Sequence, residues 1–161
     1  MHTVTAAKGQ TKGEAYAGLA AQLRSLTEGE DDFIANAANF SSLLFYALPD
    51  LNWAGFYLLK GGELVLGPFQ GRPACVRIAL GSGVCGTAAE ARRTVVVKNV
   101  HEFPGHIACD AASNSEVVVP LIKGDELLGV LDLDSPSVGR FDEEDAKGLE
   151  ELVRIFLGSE N

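Results

Sequence analysis

The sequence predicts a single α+β domain, on three observations. Helical spacing of apolar residues fills both ends of the chain. Between them the spacing shifts to short aromatic and β-branched stretches. Two joins in that middle region carry the glycine turns that close hairpins. The expected architecture is a mostly antiparallel sheet of about six strands, with the N- and C-terminal helices packed on one face.

Residues 1–12 are small and polar and are expected as a flexible lead-in to one domain spanning 1–161. Over 13–26, Tyr16, Leu19, Ala20, Leu23 and Leu26 recur every three or four positions, which predicts an amphipathic helix. A second helix fits 30–47, with Phe33, Ile34, Ala37, Phe40, Leu44 and Ala47 as its apolar stripe, and Pro49-Asp50 ends it. The run W-A-G-F-Y-L-L from Trp53 reads as a strand, Lys60-Gly61-Gly62 as a turn, and Glu63 to Phe69 as the partner strand. Val76 to Leu80 is a short strand, Val84 to Ala91 a short helix after Gly-Ser-Gly, and Thr94 to Val97 another strand. The connection 99–114, with Pro104 and Gly105, reads as a long loop, and structureless joins of that length are often functional. Ser115 to Ile122 and Glu126 to Leu133 form a hairpin through Lys-Gly-Asp. Asp142-Glu-Glu-Asp opens a last helix to about Leu157, its acids placed where the helix dipole favours them.

Composition narrows the function classes. The chain has 161 residues, 47% hydrophobic and 22% charged, enough for a real core. No apolar run reaches the ~18 residues a membrane helix needs, and the N-terminus lacks the apolar stretch of a secretory signal. A cytoplasmic, reducing setting is expected. The net charge of −9 disfavours nucleic acid and anionic membrane as partners, since phosphate neutralisation needs clustered Lys and Arg. A small cationic or zwitterionic ligand suits that balance, and so does solubility alone.

All three cysteines fall in one third of the chain, each in a loop-like stretch. Cys75 ends G-P-F-Q-G-R-P-A-C, Cys85 lies in G-S-G-V-C-G, and Cys109 lies in F-P-G-H-I-A-C-D. An odd count cannot form a static disulfide framework. Zinc wants four ligands at close spacings, and three cysteines with His106 match no common module, so no metal is expected. A reactive thiol needs a lowered pKa. Cys85 stands at a helix start, whose N–H groups would stabilise a thiolate, and Cys109 stands beside Asp110. Taken singly, each reads better as a small buried apolar residue, and it is three together in Gly-rich loops that point to redox chemistry.

Glu116 opens one strand. Asp132 and Asp134, two apart on another, point to one face. Acids in the run L-L-G-V-L-D-L-D are costly unless they are used or solvated at the strand end. Trp53, the one tryptophan, stands at a strand start and reads by itself as core rather than ligand contact. His2 and His101 carry no signal.

Taken together, N-W-A-G-F-Y (52–57), G-P-F-Q-G-R-P-A-C (67–75), G-S-G-V-C-G-T-A-A (81–89), H-E-F-P-G-H-I-A-C-D (101–110), S-N-S-E-V-V-V-P (113–120) and G-V-L-D-L-D-S (129–135) resemble the free methionine-(R)-sulfoxide reductase family, a catalytic branch of the GAF-domain fold. The resemblance implies a GAF-like catalytic domain that reduces the R epimer of free, not protein-bound, methionine sulfoxide. A thiolate attacks the sulfoxide, a sulfenic acid remains, a second cysteine condenses with it, and thioredoxin with its NADPH system reduces the disulfide. No resident cofactor is implied. Cys109 is expected as nucleophile and Cys75 as principal resolving thiol, with Cys85 the rival for either role. Glu116, Asp132 and Asp134 are expected to donate protons or hold the substrate ammonium, and Trp53 to face the S-methyl group. Backbone N–H groups near Ser82 to Cys85 would take the substrate carboxylate. The fold family also implies a homodimer as one option, paired through terminal helices. The alternative reading is a sensory GAF module for a small effector such as a cyclic nucleotide, and a third is a substrate-free redox sensor.

Overall fold

The structure, a computed structural model, describes residues 2–7, 9–106 and 111–158. Four α-helices and six strands follow in the order α1 (Lys12–Thr27), α2 (Phe33–Ala47), β1 (Trp53–Lys60), β2 (Glu63–Gly71), β3 (Arg77–Ala79), α3 (Gly83–Ala91), β4 (Val95–Val97), β5 (Ser115–Lys123), β6 (Glu126–Ser135) and α4 (Glu143–Leu157). The strands form one sheet in the order β3-β2-β1-β6-β5-β4, every neighbour antiparallel. Among the described residues, no helix is long and apolar enough to cross a membrane.

Each long helix begins where a side chain satisfies its free N–H groups. Thr11 and Glu14 form a reciprocal capping box on α1, and Asp142 and Asp145 do the same on α4. Asp32 accepts from the Ala35 N–H at the start of α2. The expected flexible lead-in is tied to the helices at several points. Ala7 N–H donates to the Ala47 carbonyl, Thr5 pairs with Gln22, and Val4 packs on the core.

Strand alternation divides the interior in two. Ala54, Phe56 and Leu58 of β1, Val117, Val119 and Leu121 of β5, and Leu131 and Leu133 of β6 face α1, α2 and α4. Phe40, Phe56 and Phe156 pack there with ring centroids 5.2–5.8 Å apart, each burial contributing roughly 1.5–3 kcal/mol. The terminal helices therefore share one face, as expected. The intervening residues, Trp53 and Tyr57 of β1, Val118 of β5 and Val130 of β6, face the other way and meet Val84, Cys85, Ala88 and Ala89 of α3. This second, thinner layer carries the site.

Three differences from expectation bear on the site. β2 runs past Phe69 to Gly71 because its register slips between Gly55 and Tyr57, and the bulge accommodates Pro68. β6 continues past Leu133 to Ser135, which draws Asp134 into the ladder opposite Trp53 and Glu116. The 99–114 connection is not structureless. It holds a 3-10 turn over Val100–Glu102, and Val100 N–H donates to the Asn114 carbonyl, closing its ends together.

Candidate active site

Three adjacent strands place the acids. Trp53 on β1, Asp134 on β6 and Glu116 on β5 sit directly opposite one another across the ladders. One row along, Gly55, Asp132 and Val118 are aligned in the same way. Antiparallel partners share a face, so these side chains converge on the α3 side. The expectation that Asp132 and Asp134 point together therefore holds. Of the two alternatives for these acids, the solvated strand end does not fit Asp132, which is only 4% exposed, while Asp134 is half-buried.

Above the acids lies the first turn of α3. Cys85 Sγ stands 3.9 Å from Glu116 Oε2, and one oxygen of Asp132 lies within 4.8 Å of both. All three groups are buried. Burial, followed by the Asp132 charge, pushes Glu116 well above the ordinary carboxyl range. Burial, followed by the Asp134 charge, does the same to Asp132. Carboxyl hydrogen bonds link Glu116 to Asp132 and to Asp134. The site thus favours the protonated forms of Glu116 and Asp132. The three groups are close enough to share a cation, but a cation would need them deprotonated, the state this environment resists.

Burial and the neighbouring carboxyls also raise the Cys85 thiol well above its usual value. The helix start was expected to lower it. Burial first, and then the acids facing the sulfur, disfavour the Cys85 thiolate in spite of its place at a helix start. Cys85 is free, whereas Cys75, half-buried between β2 and β3, is engaged in a disulfide. Cys109 lies outside the described residues.

A cavity of about 50 Å³ opens between these elements. Trp53, Glu116, Asp132 and Asp134 line its floor, Ser82 to Cys85 one wall, and Arg72 to Ala74 another. Asp132 Oδ1 is fully buried with no hydrogen-bond partner, and such an atom calls for an explanation in function. Trp53 is both core and lining. It stacks on Phe69 at 5.2 Å and on Tyr57 at 5.9 Å, and its Nε1–H donates to the Arg72 carbonyl. Sequence reasoning missed Tyr57, Arg72 and Ser113 and weighed His106 only as a metal ligand, and all four line the cavity. Strand alternation from Trp53 would have found Tyr57. The other three sit on connections, where no periodicity points. Ser113 receives the Asn52 amide at 3.0 Å, and burial lowers His106 below its ordinary value, leaving it neutral at pH 7.

Comparison with known proteins agrees with this geometry. A family model described as a GAF domain matches residues 40–156. The free methionine-R-sulfoxide reductase of Escherichia coli is 55% identical over 142 residues, covering 88% of this chain and 86% of that protein. A free methionine-R-sulfoxide reductase from Neisseria meningitidis, solved in complex with its substrate, superposes with a TM-score of 0.93 at 43% identity, over 99% of this chain and 95% of that one. The fRMsr of Staphylococcus aureus, also a complex with substrate, superposes with a TM-score of 0.86 at 53% identity, over 89% and 94% of the two chains.

Proposed function

This chain belongs to the free methionine-(R)-sulfoxide reductase family, and on that premise we propose that it reduces free L-methionine (R)-S-oxide to L-methionine at the acid-lined cavity, with thiols supplying the electrons. It is an oxidoreductase of the GAF fold. The observation that carries the reading is Asp132 Oδ1, a buried acceptor without a hydrogen-bond partner, in the floor of a cavity where burial favours the protonated form of the neighbouring Glu116.

In this reading Cys109 attacks the sulfoxide sulfur. Methionine leaves with two more electrons than the sulfoxide had, and the oxygen stays on Cys109 as a sulfenic acid. The raised carboxyls hold the sulfoxide oxygen and supply its proton. Cys75 then displaces water to form a disulfide, and thioredoxin reduces that disulfide with electrons from NADPH. Trp53 packs on the S-methyl group, Asp134 meets the ammonium, and N–H groups of the first turn of α3 take the carboxylate. Reduction by thioredoxin implies a cytoplasmic setting.

Size supports the free amino acid over a peptide. Ordinary ligand pockets span ~300–1,000 Å³, and a cavity of about 50 Å³ must widen even for one amino acid. The same bound counts against a cyclic nucleotide. The test is incubation with the two epimers of free methionine sulfoxide and with a peptide-bound form, using dithiothreitol or thioredoxin as reductant. Loss of the free R epimer alone is expected. Consumption of the peptide form instead would sink the assignment.

A further inference from the structure

Two aromatic side chains of β1 hold the segment that carries Cys75. Trp53 Nε1–H donates to the Arg72 carbonyl at 3.1 Å, and the Tyr57 hydroxyl donates to the carbonyl of Cys75 itself at 2.9 Å. Both lie on the site face of β1, four residues apart. Their rings are fixed in a stack with Phe69. Between the two anchored carbonyls runs Arg72-Pro73-Ala74-Cys75, which joins β2 to β3 without regular structure. The next tie is the Val76 carbonyl, which accepts from Leu66 N–H.

A phenyl ring would fill the Tyr57 site equally well, so volume alone does not call for the hydroxyl. Tyr57 is 2% exposed, and burial with the facing carboxyls keeps its hydroxyl protonated, hence a donor. The bond to Cys75 is present while Cys75 is in a disulfide. It therefore belongs to the product geometry of disulfide closure.

We propose that Tyr57 is a positioning residue for the resolving step, fixing the peptide of Cys75 so that its thiol meets the sulfenic acid. Trp53 fixes the other end of the same segment. The inference rests on the reading of Cys75 as resolving thiol. In that step the Cys75 sulfur attacks the sulfenic sulfur and an S–S bond forms. The S–O bond breaks, and hydroxide leaves with the Cys75 proton as water. Losing one buried hydrogen bond loosens the segment, and sub-ångström misplacement of a reacting group is felt in rate.

The experiment is a single turnover of Tyr57→Phe with free methionine (R)-sulfoxide under rapid quench. Methionine release reports the first step and loss of free thiols the second, while dimedone traps the sulfenic acid for mass spectrometry. Disulfide closure is expected to fall about tenfold relative to methionine release, with the dimedone adduct accumulating. Closure that keeps pace with methionine release as in the parent overturns the proposal, and so does equal slowing of both steps. A parent that releases no methionine overturns the activity and this inference with it. A Cys75→Ser variant that still closes an intramolecular disulfide at the parental rate overturns the role of Cys75, so the three failures are distinguishable.

Discussion

Glu116 and Asp132 lie on adjacent strands, buried and hydrogen-bonded to each other, and both carboxyls are raised well above the ordinary range. The arrangement costs stability and supplies protons, and the two consequences can be measured separately.

The stability consequence has a definite sign. The unfolded chain gives up these protons near pH 4, whereas the folded chain keeps them to higher pH. Their contribution is fully present below about pH 4, and it is lost as pH rises through the raised folded values. Asp132→Asn removes one such group. It should be more stable than the parent at pH 8 by roughly 1–2 kcal/mol, with the gap closing toward pH 4. Thermal unfolding of both proteins between pH 4 and 9 measures this. A gap that widens toward acid pH would refute it.

The same protons set the pH dependence of turnover. If Glu116 and Asp132 donate to the sulfoxide oxygen, the rate of methionine release falls as pH rises through their raised values. Glu116→Gln should flatten that limb and lower the rate by about 10²–10⁴-fold. A parental limb that survives unchanged in Glu116→Gln would remove this carboxyl from the proton path.

Cys85 offers a test by chemistry rather than by mutation. Its thiol is 5% exposed and raised by burial and by three acids. Iodoacetamide at pH 8 should label it at least about tenfold more slowly than an open thiol, since only the thiolate reacts. Peptide mapping after brief exposure of the reduced protein reads this out. Rapid labelling of Cys85 would return it to candidacy as nucleophile.

The acids and Trp53 were legible in the sequence because strand alternation is a strict rule. Positions 132 and 134 must share a face wherever the strand lies. The environment of Cys85 was not legible. A helix start lowers a thiol pKa, but which strands lie beneath that helix depends on pairings between β1, β6 and β5, distant in sequence. Arg72 and Ser113 escaped for a related reason, since they sit on connections whose path is set by what they pack against. β2 was expected to end at Phe69, and it runs on to Gly71, past Pro68. The bulge opposite Gly55 absorbs that proline.

That bulge brings β2 very close to the site. A Cβ at Gly55 would lie 2.3 Å from Phe69 Cβ and 2.8 Å from the Pro68 carbonyl. Neither neighbour is a flexible side-chain end, so the backbone must move. Gly55→Ala is expected to cost about 1–3 kcal/mol and to disturb the Phe69–Trp53 stack. Urea denaturation and near-ultraviolet circular dichroism measure the two effects. Parental stability with an unchanged Trp signal would mean the strands are not this close.

Gly148 in the middle of α4 poses the converse question, because glycine inside a helix is usually a weakness. Alanine normally improves an exposed site of this kind by about 1 kcal/mol. Here a Cβ would lie 2.2 Å from Cγ of Tyr16, against the ring of a buried side chain. The Tyr16 hydroxyl donates to Asp145, which is 1% exposed and also takes the Lys12 ammonium at 2.6 Å. This contact joins α1 to α4 on the sheet face opposite the cavity. Displacing the ring breaks the hydrogen bond to a buried carboxylate, so Gly148→Ala should destabilise by about 2 kcal/mol rather than stabilise. Lys12→Met, whose side chain is 35% exposed, should cost under about 1 kcal/mol. Urea denaturation gives both values, and methionine release per folded molecule should stay within about twofold of the parent, since distant structural effects add independently. A stabilised Gly148→Ala protein would show that Tyr16 is free to swing away and that Asp145 does not need it.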